Sequence, residues 1–456
     1  MTEVEHLGAF VANASYETIS QHSRQALKSH VLDSLGCAIG ALDGSPIKLL
    51  RKHVDEFGGA PLATLIGGGR TAPDRAALYN GALVRYLDFN DSFLAKGETC
   101  HPSDNLGAIL AASEYAERDG KQFLTAMAVA YQVQCRLSEA APVRGKGFDH
   151  ATQGAYAAAA GVAKALGLDS QQTAHAIAIS GTAFNALRVT RTGRLSHWKG
   201  LAYPNTAFGA THAAFLARRG ITGPLEVFEG NKGFKEAISG PFTIDWKSEN
   251  LEIIEQTILK KFNAEIHSQT SLECALELRA SERFEPEDID RIELDVFDVA
   301  FNIIGGGEEG DKHRVQIKEQ ADHSLPYMVA VALLDGEIGP SQYSPERIVR
   351  PDVQTLLRKV HVHADDGFSR SFPDQMPARI RIALRDGRTL MCEKKDYEGF
   401  YTRPMAWNAL VAKFERLTTP FTSPELRCEI VSAVSNIEST SVRELTGLLA
   451  CAGRRN

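Results

Sequence analysis

Residues 155–165 read AYAAAAGVAKA. An alanine run of this length favours helix, and its small side chains let a neighbouring helix approach closely. Working outward, the same period continues from about Ala72 to Arg219, with Phe123, Met127, Ala130 and Tyr131 on one stripe. Upstream, Leu27, Val31, Leu32 and Leu35 form another stripe between Thr18 and Gly44. Beyond His267 the pattern changes. Thr270 to Arg279 still reads as helix, but Arg291–Val296, Val360–His363 and Ile380–Leu384 alternate apolar and polar residues as half-buried strands do. Arg385-Asp386-Gly387-Arg388 then reads as a hairpin turn into a strand over Thr389–Glu393. A helix carrying Tyr327, Val331 and Leu334 and another over Pro351–Lys359 lie among these strands. The expectation is a mainly α protein. Its helical domain is made of residues 1–267 and 404–456, with a smaller α/β domain inserted at 268–403.

Composition excludes several functions. With 50 basic against 57 acidic residues the formal charge is −7. No basic block interleaved with aromatics is present, so a nucleic acid partner is not expected. The first residues lack an apolar signal core, and no uninterrupted apolar run of about 18 residues occurs, which predicts a cytoplasmic protein with no membrane partner. Seven cysteines are scattered without a C-x-x-C pair, arguing against disulfides, a zinc site or a cysteine-bound iron–sulfur cluster. Cys100 is read as a packing residue. Gly67-Gly68-Gly69 and Gly305-Gly306-Gly307 lack the spacing of a nucleotide loop. His361 and His363 share a strand face without a third ligand and read as solvated side chains.

Chemistry concentrates in residues 85–120, RYLDFNDSFLAKGETCHPSDNLGAILAASEYAERDG. Pro102 keeps His101 extended ahead of a helix for which Ser103 or Asp104 is the expected cap and Gly120 the expected stop. Three other groups stand out. Arg188, Arg191, Arg194 and Lys199 form a basic loop suited to carboxylates, before a helix expected to start near Pro204. Lys260, Lys261 and His267 fall at the junction of the two domains, where ligand sites tend to form. His323 and Tyr327 are expected on successive turns of one helix.

Four blocks in order, DFNDSF, HPSDNLGAIL, IHSQTSLECALEL and DHSLPYMVAVALLDG, resemble the MmgE/PrpD family over essentially the whole chain. Members of that family include 2-methylcitrate dehydratase, cis-aconitate decarboxylase and iminodisuccinate epimerase. The HPSDN block and GFDHATQGA at Gly147–Ala155 look more like the bacterial dehydratase branch. The resemblance implies a helical domain with an α/β lid, a homodimer, and chemistry on a small di- or tricarboxylate with no metal or cofactor. By matching blocks it implies Asp91, His101, Lys199, His267 and Tyr327 as catalytic groups. Lys260 and Lys261 both fit the family's lysine before the junction; Lys261 is taken as substrate-binding together with Arg188, Arg191 and Ser103. Where the decarboxylases carry a threonine shortly after the acid, this chain has Ala95 or a neighbour, which argues against decarboxylation.

The reaction class can also be argued physically. Removing a proton α to a carboxylate requires a base and fixed cations around the developing charge. Losing water from a β-hydroxy tricarboxylate then requires an acid, for which His101 oriented by Asp91, or Tyr327, would serve. The expected activity is a cofactor-independent hydro-lyase acting on 2-methylcitrate or a citrate-like tricarboxylate. Epimerisation of an iminodisuccinate-like dicarboxylate and decarboxylation of cis-aconitate use the same first step. A non-catalytic ligand-binding dimer is the alternative outside enzymes.

Overall fold

The computed structural model describes residues 1–193 and 195–453; Arg194 of the basic loop lies outside them. The protein is mainly α-helical. It divides into two compact units, one of Met1–Arg191, Gly200–Thr257 and Ala406–Asn456, the other of Thr192–Lys199 and Ile258–Met405.

In the first unit the helices Leu106–Tyr115 and Ala151–Leu166 are buried on nearly every side. A helix without a polar face belongs inside, and small residues let its neighbours close on it. A Cβ on Gly107 would lie 2.4 Å from the backbone nitrogen of Gly81 in helix Pro73–Tyr86. A Cβ on Gly154 would lie 2.3 Å from the ring of Tyr203. The stripe Leu27, Val31, Leu32 and Leu35 is fully buried in helix Gln21–Gly40. The C-terminal helix Trp407–Thr418 packs on that helix, and its buried Lys413 Nζ meets Asp33 Oδ1 at 2.6 Å.

Local detail departs from the sequence expectations in three places. A short hairpin, Phe93–Ala95 with Glu98–Cys100, interrupts the helical run and turns at Gly97, whose φ is +86°. Neither Ser103 nor Asp104 caps a helix: Pro102–Asn105 forms a 3-10 turn, and helix Leu106–Tyr115 follows. That helix ends before Gly120, which instead opens helix Gly120–Ala140 behind an Asp119/Gln122 capping box. Gly120 has no room for a side chain there, since a Cβ would fall 1.7 Å from the carbonyl oxygen of Ile437.

In the second unit four strands form one sheet in the order Val360–Ala364, Ile289–Val296, Ala378–Leu384, Thr389–Lys394. The first pair is parallel and the others antiparallel, with Leu294 opposite both Val362 and Ile380. Gly387, at φ +91°, makes the expected hairpin turn. Helices Gln269–Ser281 and Leu325–Asp335 pack on this sheet. Ile292, Leu294, Ile380 and Ile382 are fully buried. Among the described residues no helix is long and apolar enough to cross a membrane. Cys100 is fully buried.

Candidate active site

In the first unit the site is built on the loop between helix Pro73–Tyr86 and the 3-10 turn Pro102–Asn105. Asp88 takes a left-handed backbone, φ +53°, an uncommon conformation for a residue with a side chain. Arg85 Nη1 fixes it by donating to Asp88 Oδ1 at 2.5 Å. Asp91 is fully buried and each carboxylate oxygen is claimed. Oδ1 accepts from the Ser103 hydroxyl at 2.6 Å and the Ser103 amide at 3.0 Å. Oδ2 faces Tyr131 OH at 2.6 Å and His30 Nδ1 at 2.7 Å. Burial pushes this carboxyl up, but His30, Ser103 and Tyr131 outweigh it and hold its pKa below the usual aspartate value.

His101 is held through the main chain. Its Nδ1 lies 2.7 Å from the Asp91 carbonyl oxygen, which can only accept, so Nδ1 carries a proton. The contact by which Asp91 orients His101 is with its backbone oxygen, not its carboxylate. Asp104 beside it is buried, and burial with the neighbouring Asp91 outweighs Arg85 and raises its carboxyl to about 7.

His150 packs edge-on against His101, with ring centroids 5.2 Å apart, and lies against Tyr203. Its Nε2 faces Arg191 Nη2 at 2.8 Å, while its buried Nδ1 has no hydrogen-bond partner among the described residues. Burial lowers its pKa to about 3, so the ring is neutral and its unpartnered Nδ1 is a donor. Arg191 is committed internally, its Nε pairing with the Asp149 carboxylate. Arg188 shares its 3-10 turn, Arg188–Arg191, with its amide bonded to the Gly147 carbonyl at 2.9 Å. Ser103 likewise serves Asp91 and Asn90, accepting from Asn90 Nδ2 at 2.9 Å.

The second unit carries a carboxylate–imidazole pair. Glu265 Oε1 lies 2.8 Å from His267 Nδ1, and Oε2 accepts the His267 amide at 2.7 Å. His267 is 2 % exposed and packs on Phe297 and Phe372. Its Nε2 has no hydrogen-bond partner among the described residues. Burial would raise Glu265, but the charges of His267, His323 and Lys260 bring it down to about 2. With Nδ1 held by a carboxylate, Nε2 is the ring nitrogen at which a proton can be exchanged.

Cations surround this pair. Buried Lys199 places Nζ 2.9 Å from Asp322 Oδ1 and 2.9 Å from His323 Nδ1. Lys318 Nζ takes the other Asp322 oxygen at 2.8 Å. Despite full burial, these cations keep Asp322 ionised, well below the usual range. Lys199 sits in the first turn of helix Trp198–Arg218, not in a loop: the expected helix start at Pro204 falls inside it, because the chain enters helical geometry at Trp198. Lys260 is fully buried, whereas Lys261 is partly exposed and pairs with Glu398 at 2.9 Å. Of the two lysines, Lys260 is the one enclosed with Glu265. Ser324 caps the helix that starts at Leu325, so His323 precedes that helix and does not share it with Tyr327. Tyr327 is fully buried, and its hydroxyl donates to the Gln342 carbonyl. An acid role for Tyr327 has no support in this contact.

Two family models match, the MmgE/PrpD N-terminal domain over residues 5–247 and the MmgE/PrpD C-terminal domain over residues 262–438. The chain belongs to the MmgE/PrpD family. It is 27% identical over 411 residues to 2-methylcitrate dehydratase of Escherichia coli (strain K12), covering 84% of this chain and 81% of that one. It is 29% identical over 391 residues to a probable 2-methylcitrate dehydratase of Saccharomyces cerevisiae, covering 79% and 74%. A mitochondrial 2-methylcitrate dehydratase of Yarrowia lipolytica is 29% identical over 399 residues, covering 82% and 76%. With this family and these relatives the chain is an enzyme, a lyase.

Three residues in these surroundings escaped the sequence reading. Glu265 stands two residues before His267, a spacing that a 3-10 turn folds into contact, and could have been suspected. His150 lies inside GFDHATQGA and His30 on an apolar helix stripe, where a histidine ordinarily reads as core.

Proposed function

We propose that this enzyme is a hydro-lyase that dehydrates 2-methylcitrate or a closely similar tricarboxylate by acid/base chemistry. The observation that carries the proposal is the Glu265–His267 pair, whose Nε2 has no hydrogen-bond partner among the described residues, beside buried Lys260. In this reading His267 Nε2 removes the α-proton. The lysine cluster of Lys199 and Lys260 stabilises the charge that grows on the substrate carboxylate. His101 Nε2 delivers a proton to the departing hydroxyl, leaving an olefin and water. Arg188 and His150 Nδ1–H are assigned to substrate binding. The sheet-bearing unit is assigned the part of a lid, and the enzyme that of a cytoplasmic homodimer, which sedimentation would test.

Proton NMR of the enzyme with 2-methylcitrate, citrate and iminodisuccinate in deuterated water tests the reaction. Solvent exchange with formation of olefin from 2-methylcitrate is expected. Interconversion of iminodisuccinate enantiomers without olefin from any tricarboxylate would replace dehydration by epimerisation. The roles are separable: His101→Gln should retain exchange while losing olefin, and His267→Gln should lose both. Loss of exchange in His101→Gln with exchange retained in His267→Gln would invert the assignment.

A further inference from the structure

We propose that His30 is a positioning residue for the His101 loop, held as a doubly protonated imidazolium between Asp91 and Thr257. His30 projects from helix Gln21–Gly40 and is 4 % exposed. Its Nδ1 lies 2.7 Å from Asp91 Oδ2, which is ionised and can only accept, so Nδ1 bears a hydrogen. Its Nε2 lies 3.1 Å from the Thr257 hydroxyl. That hydroxyl has a single hydrogen, which it gives to the Ile254 carbonyl at 2.5 Å. Thr257 Oγ1 must then accept from His30, and Nε2 bears a hydrogen as well.

The surroundings suit a cation. Asp91 faces the ring from the loop, and Asp33 stands one turn along the same helix, paired with Lys413. Tyr131 packs edge-on to the ring at 5.7 Å between centroids and donates to the same Asp91 oxygen. A charged pair explains how Asp91 stays ionised while fully buried, since a buried carboxylate facing neutral donors alone is costly. The consequence reaches the reacting group through one residue. The carboxylate that His30 anchors belongs to the residue whose carbonyl oxygen holds His101 Nδ1, so displacing one displaces the other.

Two-bond proton–nitrogen NMR of the enzyme labelled with nitrogen-15 histidine tests the protonation state, with His30 assigned by its loss in His30→Gln. Both ring nitrogens protonated at neutral pH is the expected result. A neutral single tautomer overturns the proposal. Thr257→Val, which removes the Nε2 acceptor, should abolish the imidazolium signature, and a spectrum unchanged by it also counts against the assignment. If His30→Gln does not fold, assignment can proceed from Thr257→Val.

The kinetic arm rests on the acid/base reading above. His30→Gln should lower kcat about ten- to a hundredfold with KM altered less than about twofold, as displacement of a catalytic group does. An unchanged kcat would show that His30 does not position His101. Should the parent enzyme turn over none of the carboxylates, the acid/base reading fails, while the spectrum still decides the state of His30.

Discussion

The two adjacent lysines at positions 260 and 261 show how little a side chain's identity says about its work. Lys260 is enclosed with Glu265 and His267, whereas Lys261 is held by Glu398 and Glu273 near solvent. Lys260→Ala should therefore reduce kcat/KM about a hundredfold or more, and Lys261→Ala by less than about threefold. Steady-state kinetics on both variants checks this, and equal losses would contradict the assignment. Tyr327 makes the opposite case. With its hydroxyl donating to the Gln342 carbonyl, Tyr327→Phe should cost about 1–2 kcal/mol of stability and leave kcat within about twofold. A hundredfold fall in kcat at undiminished stability would return the phenol to the chemistry.

At the level of elements, the helix crossings are set by glycines whose missing side chains are filled by a neighbour. Gly107 meets Gly81 across two buried helices, and the atom that a methyl would strike is backbone, which cannot rotate away. Gly107→Ala should lower the unfolding free energy by about 1–3 kcal/mol, read from the urea midpoint. Gly447, with nothing near its Cβ position, provides the comparison, and Gly447→Ala should be neutral or stabilising by a few tenths of a kcal/mol, about the helix-propensity gain. A Gly107→Ala protein as stable as the parent would mean that the helices can separate at no cost. These crossings matter for function because helix Leu106–Tyr115 begins directly after the turn that carries Ser103, whose hydroxyl holds Asp91.

For the molecule as a whole, stability against pH sums groups that act in opposite directions. Glu265, held at about 2 against an ordinary 4.5, contributes stability that is present above about pH 4.5 and lost as pH falls toward 2. His150, held at about 3 against 6.5, is neutral when folded but takes a proton when unfolded, so its contribution is lost as pH falls from about 6.5 to 3. Asp104 runs the other way. Raised to about 7 from 3.8, it binds its proton more tightly in the folded state, and its cost grows as pH rises between those values. Between about pH 4 and 6.5 His150 and Asp104 therefore oppose each other. The difference in unfolding free energy between Asp104→Asn and the parent should move in the variant's favour as pH rises from about 4 to 7, measured by urea unfolding at each pH. A difference independent of pH would show that Asp104 titrates normally.

Period and turn chemistry were enough to determine the helical body, the strands near Ile292, Val362, Ile382 and Leu390, and the Asp386-Gly387 hairpin, because each depends on residues close in the chain. The family blocks pointed to His101, Lys199 and His267 as the candidates for chemistry. Only the tertiary structure decided which polar groups were already spoken for. Asp91 is enclosed by Ser103, Tyr131 and His30, Arg191 is claimed by Asp149, and Lys260 rather than Lys261 is turned inward. Those outcomes depend on partners tens of residues away in the chain, whose approach is fixed by helix packing, and a local pattern carries no record of them.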